Sequence, residues 1–187
     1  MSMPKSLLYF FFTVLLVSCG GGDSSSDSDS VENGGSSETS IIEHELNEDR
    51  LDAVGYNNEL SSILDGTLNS IDELFFSDSS NVALNLDNAI FEINLNLSTV
   101  QGMVSFGEEE GFRIAMIELL EFYKQELEGI FTDEIKDILL QDVPSEADQN
   151  RLEEYDEDFT ARELEFFQKV VDEQEIFAKE NNIRLSS

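Results

Sequence analysis

A single cysteine, a single histidine, two prolines and no tryptophan leave this 187-residue chain without most of the groups from which enzymes and metal proteins are built. One cysteine can neither close an intrachain disulfide nor supply the thiolate set of a structural zinc site. The lone histidine, His44, excludes the paired Glu-x-x-His ligands of a di-iron bundle and the two axial imidazoles of a bis-histidine haem. No Gly-x-Ser-x-Gly elbow or phosphate-binding glycine loop occurs, and no Ser-x-x-Lys lies beyond residue 18. Nucleophilic catalysis therefore has no candidate residues, and a glycosidase would lack the tryptophan that stacks on sugars beside its carboxylate pair. Cations are scarce as well: ten Lys and Arg stand against 41 Asp and Glu, for a formal charge of −31. Phosphate binding demands the opposite sign, so nucleic acid is excluded as a partner, and anionic lipid head groups repel the chain. Such a charge keeps a crowded protein soluble and spaced from its neighbours, and it can adsorb divalent cations without an ordered site.

What is present begins at the N-terminus. Lys5 precedes the apolar run Leu7-Leu8-Tyr9-Phe10-Phe11-Phe12-Thr13-Val14-Leu15-Leu16-Val17, which closes on small Ser18 and the only cysteine, Cys19. The run is shorter than the roughly 20 residues of a stable membrane span and has the layout of a secretory signal. Leu15-Leu16-Val17-Ser18-Cys19 resembles the lipobox of bacterial lipoproteins. That resemblance implies cleavage between Ser18 and Cys19 and lipidation of the Cys19 thiol, which would occupy an otherwise unpaired and reactive sulfur. A single acyl chain binds membranes only marginally, and the resemblance implies a diacylglyceryl group, often with a third chain on the new N-terminus. Gly20, rather than Asp, follows the cysteine. By enteric-type sorting rules this points to the outer membrane, with the protein on its periplasmic or cell-surface face.

Residues 19–45 read as an acidic tether. From Gly20 to Ser40 the only large apolar residue is Val31, too little to repay the entropy of ordering. A flexible Gly/Ser coil of about 20 residues spans roughly 25 Å r.m.s.. Asp23, Asp27 and Asp29 superficially suggest a calcium loop, but the glycine and terminal glutamate of a hand-type loop fall out of register.

The remaining residues, 46–187, are enough for one domain with one core. Leu60, Ile63, Leu64, Thr67, Leu68, Ile71, Leu74 and Phe75 recur at three and four residue steps, predicting a helix from about Asn47 to Phe76 that Gly55 and Gly66 weaken. The next segment is ambiguous. Phe91, Ile93, Leu95 and Leu97 alternate with polar residues as a strand would, yet Val82, Leu86, Ile90, Ile93, Leu97 and Val100 form a longer helical seam. An isolated strand would leave its ladder unpaired, so a helix is expected from Asn81 to Gln101. Gly102 and Gly107 bracket a turn, and Glu108-Glu109-Glu110 then suit the first turn of a helix, where the dipole favours negative charge. Its seam is Phe112, Met116, Leu119, Tyr123, Leu127 and Ile130, with Ile135 and Ile138 continuing it to Pro144. Ser145 and Asp148 form a plausible N-cap for a last helix striped by Leu152, Tyr155, Phe159, Phe166, Val170 and Phe177 and ending near Asn181-Asn182. Four amphipathic helices with short connections define an all-α fold, an antiparallel four-helix bundle behind a signal peptide and a disordered acidic linker.

Tyr56-Asn57-Asn58-Glu59, Leu119-Leu120-Glu121-Phe122-Tyr123-Lys124 and the segment from Glu173 to Leu185 resemble a family of small helical surface lipoproteins from Bacteroidota and spirochaetes. The likeness spans most of residues 50–185 and rests on core aromatics and helix ends. It implies an address and a fold, with no molecular activity and no functional residues to carry across.

Carboxylates such as Glu118, Glu121 and Glu165 could hold a metal, but acids at these spacings ordinarily form a solvated helix face. The aromatic stripe of Tyr155, Phe159, Phe166, Phe167 and Phe177 could line a groove; core packing explains it better in a chain with fourteen phenylalanines. The expectation is a non-enzymatic, lipid-anchored surface component that needs no cofactor, has no metal site and contacts another protein not identifiable from sequence. The alternatives, in order, are a small-ligand or metal-binding lipoprotein using the bundle interior, and a hydrolase.

Overall fold

Asp52 starts the first helix. Its backbone is extended and its Oδ1 accepts a 2.7 Å hydrogen bond from the Gly55 N–H, so α1 runs Ala53–Phe75 rather than beginning near Asn47. The computed structural model describes residues 51–107 and 110–185, so Ser18, Cys19 and His44, with the leader and tether, lie outside the described residues. The described residues are all-helical: α1, α2 (Val82–Gly102), α3 (Gly111–Glu126), a π-helical segment (Leu127–Ile135), a short α4 (Lys136–Leu139) and α5 (Glu146–Glu180). No helix among them is long and apolar enough to cross a membrane.

The turn between α1 and α2 is organised by Asp78, whose Oδ1 accepts from the Ser80 N–H at 3.0 Å, the Ser80 hydroxyl at 2.5 Å and Asn81 Nδ2 at 3.0 Å. Those bonds, that of Ser80 first, hold the carboxyl below the usual carboxylate range. Asn85 then reaches back, donating to the Glu73 carbonyl at 3.0 Å and Ser77 Oγ at 2.8 Å. The ambiguous segment is a helix throughout. Ile93 and Leu97 are buried with Val82, Leu86, Ala89 and Val100, whereas Phe91 is 68% exposed and Leu95 51% exposed. The strand-like alternation arises because residues two apart lie about 200° apart around an α-helix, so apolar groups occupy both sides of this one.

Two features of the third helical run depart from the sequence reading. Glu110 occupies the N-cap position with no side-chain cap bond, and no acid falls in the first turn of α3. Glu108 and Glu109 lie outside the described residues. Farther on, Phe131 is fully buried and Ile130 is 38% exposed, although Ile130 continues the seam by count. The break in helical backbone at Gly129 is the reason. Steps of four from Leu119 through Tyr123 to Leu127 drift by about 40° each around an α-helix, and the non-helical backbone at Gly129 breaks that count, so the next steps of four bring Phe131 and Ile135 inward. Gly129, at φ −98° and ψ −112°, marks the kink.

Both ends of α5 are closed by local chemistry. Ser145 Oγ accepts from the Asp148 N–H at 3.2 Å while Asp148 Oδ2 accepts from the Ser145 N–H at 3.1 Å, a reciprocal capping box as the spacing predicts. At the other end Asn182 takes φ 54°, the Ile183 N–H donates to the Ala178 carbonyl at 2.8 Å and the Asn182 N–H to Lys179 at 3.4 Å. This is a Schellman ending, with Ile183 packed against the core, the apolar contact that commonly accompanies that motif.

In the core α2 packs on α1 and on α3, and α3 packs on α5. Aromatic side chains bridge α5 to α1: Phe159 meets Phe75 with ring centroids 5.1 Å apart, and Phe177 meets Tyr56 at 5.6 Å. Buried polar groups on these seams are paired across helices. Asn96 Nδ2 donates to Thr67 Oγ1 at 3.0 Å between α2 and α1, and Gln174 Nε2 donates to Asn57 Oδ1 at 3.1 Å and Ser61 Oγ at 3.0 Å between α5 and α1. Phe159 also touches Phe122, Tyr123 and Tyr155, so truncating it removes packing on three helices at once. Phe159→Ala is expected to destabilise the fold by about 3–5 kcal/mol, measured by denaturant unfolding followed by circular dichroism; a loss below about 1 kcal/mol would contradict this role.

Candidate functional site

The seam between α3 and α5 concentrates the titratable groups. Tyr123 is fully buried and its hydroxyl donates to Glu163 Oε1 at 2.7 Å. Burial, and then the charge of Glu163, push the phenol well above its ordinary value. Burial likewise raises the Glu163 carboxyl, with Asp72 and Asp156 adding to the rise and the Tyr123 hydrogen bond opposing it. Asp72 and Asp156 are themselves raised, chiefly by burial. Close by, Arg162 meets buried Glu126 at 2.7 Å and Asp158 at 3.4 Å, with its guanidinium over the Phe122 ring at 5.1 Å. Glu126 Oε2 and the Tyr155 hydroxyl are buried without a hydrogen-bond partner.

A carboxyl that resists ionisation is what a general acid needs, but it also needs a cleft beside it. A pocket among the described residues, lined by Gly111, Phe112, Glu173, Ile176, Phe177 and Glu180, has a volume of ≈ 10 Å³. That is room for about one water, and it includes neither Glu163 nor Tyr123. No group of three or more Asp, Glu, His or Cys among the described residues is placed to hold a metal ion. Of the carboxylates weighed from sequence, Glu118 pairs with Lys169 at 2.5 Å and bridges α3 to α5, while Glu121 and Glu165 are exposed. In the aromatic stripe, Tyr155, Phe159 and Phe177 are buried and Phe166 and Phe167 pack partly buried against the same core. Phe122 and Phe166 stack at 5.0 Å. The stripe is therefore core.

The surface that stands out lies on α2. Leu84, Phe91 and Leu95 are 59%, 68% and 51% exposed. At 100° per residue they fall within about 40° of arc, in a row about 17 Å long on the side opposite Ile93 and Val100. Asn88, Ser98 and Thr99 flank the row, all exposed. Asp87 and Glu92 are the only charged residues in the helix, and no Lys or Arg occurs between Leu51 and Gly107. An exposed apolar row bordered by neutral polar groups has the composition of a contact surface. Its signal in the sequence is the same alternation through Phe91 and Leu95, apolar residues in excess of what the buried seam needs. Glu163 also has a signal, since it fills the seam place between Phe159 and Phe166 at steps of four and three.

No family model, curated protein or solved structure matches this chain.

The Glu163 environment implies a pH response of definite sign. A carboxyl raised in the folded state favours folding while protonated, below its unfolded value, and that contribution is lost as pH rises through the folded value. Glu163→Gln keeps an acceptor for Tyr123 and has nothing to ionise. The variant is expected to lose less stability than the parent as pH is raised from below the ordinary carboxylate range to neutrality. Parallel pH profiles for the two proteins would show that Glu163 ionisation does not matter.

Proposed function

We propose that this chain is a lipid-anchored lipoprotein of the bacterial outer membrane, on its periplasmic or surface face, and that it is non-enzymatic and works by contacting another protein. The observation that carries the reading is Leu15-Leu16-Val17-Ser18-Cys19, an apolar run closing on a small residue and the chain's single cysteine. Cleavage at Ser18 and Cys19 leaves a mature chain that begins at the lipidated residue. Residues 19–45 then hold the domain about 25 Å from the bilayer. The order of packing, α1 on α2, α2 on α3, α3 on α5 and α5 on α1 through aromatic pairs, supports an antiparallel four-helix bundle for residues 46–187. The resemblance read in most of residues 50–185, to small helical surface lipoproteins of Bacteroidota and spirochaetes, would imply the same address. Contact as the mode of action is supported by the exposed row on α2.

In cells of a lipoprotein-processing bacterium, Cys19→Ala is expected to abolish incorporation of labelled palmitate and to move the protein from the washed membrane pellet to the soluble or unprocessed fraction. Unchanged fractionation with no lipid label in the parent would overturn the anchor.

A further inference from the structure

We draw no further inference here: the strongest candidate, the cluster of Asp72, Tyr123, Asp156 and Glu163 where α1, α3 and α5 meet, belongs to the site already described and carries nothing beyond its pH response.

Discussion

The structure depends on aromatic packing at one point, the ring of Phe159, where α1, α3 and α5 meet. Phe75, Phe122, Tyr123 and Tyr155 lie around it with centroids 5.1–6.2 Å away, and Phe131 of the π segment joins through Phe75 and Tyr155. A chain with 41 acids and ten Lys and Arg has little to gain electrostatically from bringing its helices together. Apolar burial must supply the attraction, and rings of 150–250 Å² supply it in few residues. The cluster also extends past the kink. Phe131 reaches Phe75 because the non-helical backbone at Gly129 interrupts the run after Leu127 and resets which residues face inward.

The few cations work where this packing leaves carboxylates close together. Arg151 on Glu134, Arg162 on Glu126 and Lys169 on Glu118 all join α5 to the run formed by α3 and the π segment. Exposed pairs of this kind contribute little each, typically below about 1 kcal/mol. Their effect is on register, since each fixes one turn of α5 against one turn of its neighbour. Glu126 differs because its carboxylate is buried, and one of its oxygens is left without a partner. Removing Arg162 would strand that charge, so the pair is more costly to break than it was favourable to form. Glu163 is met instead by a neutral donor, the Tyr123 hydroxyl at 2.7 Å.

The all-helical class was legible in the sequence, because seams of three and four residue steps run through each segment and the caps are written in Ser145-Asp148 and Asn181-Asn182. The start of α1 was not: polar residues between Asn47 and Asp52 do not distinguish a helix turn from the chain before it, and only the Asp52 to Gly55 bond decides. Ile130 against Phe131 was equally hidden, since a count at 3.6 residues per turn cannot anticipate a kink at Gly129. Of the candidate site, the aromatic stripe was read correctly as core. Pairings such as Tyr123 with Glu163, forty residues apart, follow from how helices meet and leave no local trace.

The strand-like stretch of α2 carries the most consequential ambiguity. A period of two and a period of 3.6 coincide only when a helix has apolar residues on opposite sides, and a helix in a small bundle has use for one such side. Leu84, Phe91 and Leu95 are thus surplus to folding, and exposing them costs solubility. That cost is tolerable where the remaining surface repels all neighbours of the same charge. The acidity of the chain and the neutrality of this face then work together: the first keeps neighbouring molecules apart, and the second, made of Leu84, Asn88, Phe91, Leu95, Ser98 and Thr99, carries no charge of its own.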